Sequence, residues 1–137
     1  SPEENYISEI AEKIDELRKA CWINLGVSRN KRNMIQFLNH MQTDMDQLKK
    51  NPLLNTLVQI EFDQTIKLNE PNRRGLNLLL DLKNRQITTL TLLKACLFRK
   101  ESRGGHYRDD FPIKDKNWEC HTRQQLNQEI KKRFIKN

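Results

Sequence analysis

Pro71-Asn72-Arg73-Arg74-Gly75-Leu76-Asn77-Leu78-Leu79-Leu80-Asp81-Leu82, running on to Arg103 with no further proline or glycine, is the stretch that decides the fold. Asn69 or Asn72 beside Pro71 marks a helix start. An Asn side chain can cap the first turn, and a proline at the first helical position sacrifices no hydrogen bond. Leu76, Leu79, Leu80, Leu90 and Leu97 mark one face, and Leu78, Leu82, Leu92 and Cys96 an adjacent one. The spacing predicts a helix over 71–103, roughly 50 Å long if straight. Its apolar arc is wide, so it packs between two neighbours.

Working outward, 53–69 carries Leu53, Leu54, Leu57, Val58, Phe62, Ile66 and Leu68, but Glu61 and Asp63 interrupt the pattern, so a shorter helix is expected. Before Pro52, Met34, Leu38, Met41, Met45 and Leu48 recur at steps of four and three, with Ser28 placed to cap them. Farther upstream Ile7, Ile10, Ile14, Leu17, Cys21 and Leu25 predict an amphipathic helix over 3–25. Acids crowd its first turns, as the helix dipole favours, and Gly26 stands where a left-handed residue would close it. The expected fold is all-α: an antiparallel three-helix bundle over 1–104, with an extra short helix as crossover or cap. Past Gly104-Gly105 the periodicity stops. Residues 105–137 are expected as a coil and basic tail packed on the bundle within one domain. Tyr107, Phe111 and Trp118 are too many large apolar groups for a disordered linker. Leu126, Ile130 and Phe134 predict a last basic helix over 122–137.

Composition agrees with helices. The chain has 137 residues, only 4 Gly and 4 Pro, 31% charged and 7% aromatic residues. Glycines at 26, 75, 104 and 105 form neither a Gly-x-Gly-x-x-Gly loop nor a P-loop, which argues against a self-sufficient nucleotide-dependent enzyme. A mean hydropathy of −0.87 and the lack of any apolar run near the roughly 20 residues required exclude a transmembrane helix. The net charge of +7 suggests an anionic partner, but residues 1–20 carry −3 and the excess elsewhere is thinly spread. No aromatic residues interleave with these bases as a stacking platform for nucleic acid requires. Neither nucleic acid nor membrane is therefore expected as a partner; a basic adaptor for nucleic acid or an acidic protein is the alternative reading. Cys21, Cys96 and Cys120 are odd in number, form no Cys-x-x-Cys pair and follow no signal-peptide pattern, which reads as a reducing, cytoplasmic setting. The chain opens at Ser1 already in helical register and reads as a domain excised from something larger.

The densest chemical constellation is Arg99 to Pro112, which joins a helix end to a coil. Two glycines there permit left-handed dihedrals, while Arg103 and Arg108 can clamp carboxylates. His106 between them could face an anion or move a proton. The plainer reading, favoured here, is a capped helix whose His, Arg and Asp groups satisfy one another and the last carbonyls. Cys120-His121 with His106 lacks the ligand spacing and the fourth ligand of a zinc site, so no metal is expected. His40 sits on a helix flank as a surface histidine.

Glu101-Ser102-Arg103-Gly104-Gly105-His106-Tyr107-Arg108, then Asp110-Phe111-Pro112, Trp118 and His121-Thr122, resembles the C-terminal helical domain of the succinate dehydrogenase and fumarate reductase flavoprotein family. Tyr107 and the Phe111-Pro112 ending resemble the L-aspartate oxidase branch. Trp22 with Gly26-Val27-Ser28-Arg29 is similar to the family's junction between its first two bundle helices. Lys94 and Lys100 depart from the usual pattern, and Gly105 replaces the Ala usual in the succinate dehydrogenase branch. The resemblance implies an FAD enzyme that oxidises L-aspartate to iminoaspartate at the start of NAD synthesis, with quinolinate synthase next in line. It also implies that flavin-binding and capping domains of the same parent chain hold the FAD and the active site. No catalytic, cofactor-binding or metal residue is assigned to the present chain, which is expected to bind no cofactor itself. Arg103, His106, Tyr107, Arg108, Asp110 and Phe111 are the candidate docking residues toward those domains.

Overall fold

The computed structural model describes residues 2–136. Four helices appear in chain order: α1 (Pro2–Leu25), α2 (Lys31–Lys49), α3 (Pro52–Val58) and α4 (Glu70–Phe98). A 3-10 turn (Lys116–Trp118) and two short strands, β1 (His121–Arg123) and β2 (Lys131–Arg133), follow.

The three long helices form an up-down-up bundle. Tyr6 of α1 lies beside Gly75 near the start of α4, and Cys21 Sγ lies 3.4 Å from Thr89 Oγ1 farther along both. The two helices thus run parallel. The α2 helix returns antiparallel alongside both, so that Met34 and Phe37 pack with Leu25, Leu93 and Cys96 at one end while Leu48 packs with Ile10 and Leu79 at the other. Caps set the starts: Asn30, Asn51 and Asn69 accept from backbone N–H groups of α2, α3 and α4 respectively. Asn51 also donates to the Tyr6 hydroxyl at 2.6 Å, fixing α3 across the lower end of the bundle, where Leu54 joins Ile10, Leu79 and Leu82. The expected crossover cap is what α3 provides.

Several expectations need correction. Asn30, not Ser28, caps α2, because its extended backbone lets the side chain reach the Asn33 N–H. Gly26 is not left-handed. It is needed because a Cβ there would meet the Trp22 carbonyl oxygen at 2.3 Å. The third helix ends at Val58, ahead of a turn in which Asp63 takes φ 74° and Gln64 N–H donates to the Glu61 carbonyl. The buried stripe of α4 runs Gly75, Leu79, Leu82, Gln86, Thr89, Leu93 and Cys96. Leu79, Leu82 and Cys96 lie on it as expected, but Leu80 is exposed and Leu90 and Leu97 are half-buried.

The largest departure is at the C-terminus, where the basic helix expected over 122–137 is instead a hairpin. His121 pairs with Arg133, Thr122 with Lys132 and Arg123 with Lys131. Asn127 turns the chain with φ 58°, a conformation Asn tolerates, and Leu126 and Phe134 of the supposed apolar stripe are exposed. Lys132 anchors the hairpin: its Nζ sits 3.7 Å from the centroid of the Trp118 ring and donates to the Asn117 carbonyl at 3.0 Å. The buried Trp118 ring meets Phe98 edge to face, 5.1 Å between centroids, which seats the extension on the end of α4. No helix among the described residues is long and apolar enough to cross a membrane.

Candidate functional site

Where the upper ends of α1, α2 and α4 meet, residues 99–118 form a polar hub. Its necessity follows from the helices: α1 and α4 end there with unbonded carbonyls, and α2 begins there with unbonded N–H groups. Arg108, only 1% exposed, donates through Nη1 to the carbonyls of Cys96 (3.3 Å), Leu97 (3.0 Å) and Arg99 (3.3 Å), closing α4. Its other edge is bidentate to Asp110, with Nε to Oδ1 at 2.9 Å and Nη2 to Oδ2 at 2.6 Å. Asp110 also accepts the Lys31 N–H at the first turn of α2, at 3.0 Å. One guanidinium–carboxylate pair therefore ties the exit of α4 to the entrance of α2.

Glu101 is the second centre. Fully buried, it accepts from Arg99, from Arg103 Nε at 2.9 Å and Nη2 at 3.1 Å, and from the Asp115 N–H at 3.0 Å. Burial alone would raise its pKa. The bonds from Arg103, Asp115 and Arg99 outweigh this and hold it at about 2. Arg99 reaches on to the carbonyls of Trp118 and Cys120, linking the hub to the hairpin. Ser102 Oγ accepts from the Arg108 N–H at 2.9 Å and lies 2.8 Å from the Phe111 carbonyl, which it can donate to.

His106 belongs to the same network. Arg103 and His106 exchange backbone hydrogen bonds across Gly104-Gly105, and Gly104 takes φ 57°, the one point in the hub where glycine is conformationally required. The His106 ring lies with Nδ1 2.9 Å from Arg29 Nη1 and Nε2 3.1 Å from the Arg99 carbonyl. Since the guanidinium can only donate and the carbonyl only accept, the ring is neutral with its proton on Nε2. Burial, chiefly, together with the charges of Arg29, Arg108 and Arg99, lowers its pKa from 6.5. Arg29 in turn exchanges backbone bonds with Tyr107 and Asp109 at 3.1 and 2.9 Å and donates through Nε to the Leu25 carbonyl.

The structure thus gathers Arg103, His106, Arg108 and Asp110 into one network and leaves Tyr107 and Phe111 outside it, 43% and 37% exposed. Phe111 still lies under the Arg108 guanidinium at 4.7 Å. Arg29, Arg99 and Asp109 were not among the expected site residues. The only signal for Arg29 is the Gly26-Val27-Ser28-Arg29 junction; Arg99 and Asp109 fall inside the Arg99 to Pro112 constellation but have no feature there that singles them out. His40 is exposed, 3.5 Å from Asp44. Chemically the hub is closed upon itself: both His106 nitrogens are engaged, no nucleophile lies against the ring, and the described residues hold no cluster of three or more His, Cys, Asp or Glu able to take a metal. A flavin dinucleotide does not fit it. The first N–H groups of α2 already face Asn30 and Asp110, whose carboxylate would repel a pyrophosphate, and Gly104-Gly105 form an exposed turn between two bridged residues.

Residues 14–136 match the sequence model of the family described as fumarate reductase flavoprotein C-term. The chain belongs to this family. One subunit of the CoM/CoB fumarate reductase of Methanothermobacter marburgensis is 32% identical over 127 residues, 91% of this chain and 20% of that protein. L-aspartate oxidase of a Synechocystis species is 35% identical over 114 residues, 78% of this chain and 20% of that enzyme. The Nostoc L-aspartate oxidase is 25% identical over 122 residues, 88% of this chain and 21% of that enzyme. The chain spans about a fifth of the length of these curated relatives. No solved structure matches it. In this chain the hub joins the ends of α1, α2 and α4 to one another and to the following hairpin.

Proposed function

We propose that this chain is the C-terminal helical domain of an FAD-dependent L-aspartate oxidase, in which it is a non-catalytic packing module. The oxidase converts L-aspartate to iminoaspartate in the cytoplasm, and quinolinate synthase consumes the product. FAD and the reacting groups reside in the flavin-binding and capping domains of the parent chain. Arg103, His106, Arg108 and Asp110 shape the loop, and Tyr107 and Phe111 dock against those domains. The observation carrying this reading is that Arg99, Glu101, Arg103, His106, Arg108 and Asp110 are engaged within the chain, while the Tyr107 ring on the loop they fix stands open and Phe111 keeps one face exposed beside it.

The aspartate oxidase assignment is supported by the similarity to the Synechocystis enzyme and by Tyr107 with Phe111-Pro112. A second reading, the same domain in a fumarate reductase or succinate dehydrogenase flavoprotein, is favoured by the Methanothermobacter relative, whose match covers more of this chain. Supplying the parent enzyme with L-aspartate separates them: flavin reduction with peroxide release supports the first, whereas indifference to L-aspartate with reduction of fumarate supports the second. The isolated chain is expected to leave FAD in solution; stoichiometric flavin binding by it would overturn the packing role under either reading. Tyr107→Ala should loosen flavin in the parent enzyme without lowering the melting point of the isolated chain, whereas Phe111→Ala, which also removes the contact with Arg108, should both loosen flavin and lower that melting point.

A further inference from the structure

The core of the bundle is divided. Ile10, Leu54, Leu79 and Leu82 cluster toward α3, while Leu25, Met34, Phe37, Met41, Leu93 and Cys96 cluster toward the hub. Between the two, the buried stripe of α4 presents Gln86 and Thr89 where apolar residues would be expected. Thr89 is satisfied, its hydroxyl donating to the Arg85 carbonyl at 2.7 Å and meeting Cys21 Sγ. Gln86 differs. The residue is 4% exposed, yet no described residue supplies its amide with a hydrogen-bond partner. Every side-chain nitrogen or oxygen sealed from solvent among the described residues does have a partner. The Gln86 amide must therefore meet open space, and a groove of about 350 Å³ between α1 and α2 reaches it.

We propose that this groove binds a small uncharged molecule with a ring-sized apolar body and a primary amide, or a comparable edge that offers a donor and an acceptor side by side. Ile10, Leu17, Phe37, Met41 and Leu79 supply the apolar walls. At the bottom, Gln86 supplies one acceptor and one donor edge, the arrangement that an amide satisfies reciprocally. With no partner in the fold the amide is met only by solvent in the groove, and a matching ligand replaces that solvent with a fixed donor–acceptor pair. The volume falls at the lower end of the roughly 300–1,000 Å³ usual for small-molecule sites. The mouth sets Glu9, Glu16 and Asp44 against Lys13 and Lys50, a near balance that selects neither anion nor cation. This site is separate from the hub and does not depend on the function proposed above.

The test is a titration of the isotope-labelled 137-residue chain with benzamide, an aromatic ring bearing one primary amide, followed by amide and methyl chemical shifts. Saturable shifts confined to the groove walls are expected at millimolar benzamide. In Gln86→Met, close in shape but without the amide, affinity should fall about ten-fold, as the loss of one well-made hydrogen-bond pair predicts. The same variant should melt no lower than the unmodified chain when no ligand is present, because the amide it removes has no partner in the fold; Gln86→Leu provides a second variant for both readings. Absence of saturation, equal affinity in the variants, or a lowered melting point in both variants would each overturn the proposal, the last by revealing that Gln86 is bonded within the fold.

Discussion

His106 Nδ1 lies 2.9 Å from Arg29 Nη1 although 77 positions separate the two residues. The contact requires an unprotonated nitrogen facing a permanent cation. Because burial first, and the surrounding arginines next, depress the His106 pKa below 6.5, the unfolded chain binds a proton here more readily than the folded one. Stability contributed by the neutral ring is complete above pH 6.5 and is lost as pH falls below it toward the lower folded value. The urea midpoint should therefore fall between about pH 7.5 and about pH 5.5, and less so in His106→Gln. A midpoint that rises on acidification would contradict the neutral ring.

Glu101 predicts a second, more acidic window. Its folded value of about 2 lies below the ordinary 4.5, so its contribution is present above pH 4.5 and disappears as pH falls toward 2. Glu101→Gln leaves Arg99 and Arg103 without their shared counter-charge and should cost about 3–5 kcal/mol at neutral pH. Denaturant melts of the two proteins should converge near the acid end of the window. Parallel curves throughout would show that the carboxylate charge is not what matters.

Arg108 is expected to act inside the bundle. Arg108→Ala uncovers the last carbonyls of α4 and strands Asp110, so the isolated chain should lose about 3 kcal/mol or more. Arg108→Lys should recover less than half of that, because an ammonium cannot hold Asp110 bidentately while also reaching three carbonyls. Full rescue by Lys in a thermal melt would point to charge alone.

Adjacent leucines on α4 should behave differently. Leu93 has no exposed surface, so Leu93→Ala should cost about 2–5 kcal/mol. Leu92 is 45% exposed, and Leu92→Ala should cost about 1 kcal/mol or less. Urea unfolding of the two variants measures the contrast, and similar losses would mean that the helix is rotated from the face described.

Much of the architecture could be read along the chain, since it is local. Steps of three and four placed α1 and α2, and Pro52 and Pro71 set the starts of α3 and α4, but α4 stops at Phe98 rather than at the expected Arg103, because Arg99 leaves the helix in an extended conformation to join the hub. The motif from Glu101 to Pro112 was visible, and so was the capping chemistry of its arginines. Which partner each arginine takes was not visible, because Arg29 and His106 meet only after the helices pack. The stripe of α4 was misjudged for a related reason: two apolar flanks of similar width offer two orientations, and the positions of α1 and α2 select between them.

The C-terminal tail shows the same division. Leu126, Ile130 and Phe134 at steps of four suit a helix as well as residues 121–123 and 131–133 suit strands. The choice fell to the Trp118 ring, which captures Lys132 and draws one strand beside the other. By itself the sequence determined where helices begin and which segments are amphipathic, since hydrogen bonds within a turn and side-chain periodicity depend on near neighbours. Tertiary structure alone decided the face of α4, the closed charge network of the hub, the hairpin and the groove at Gln86, since each arises from groups far apart in the chain that packing brings within bonding distance.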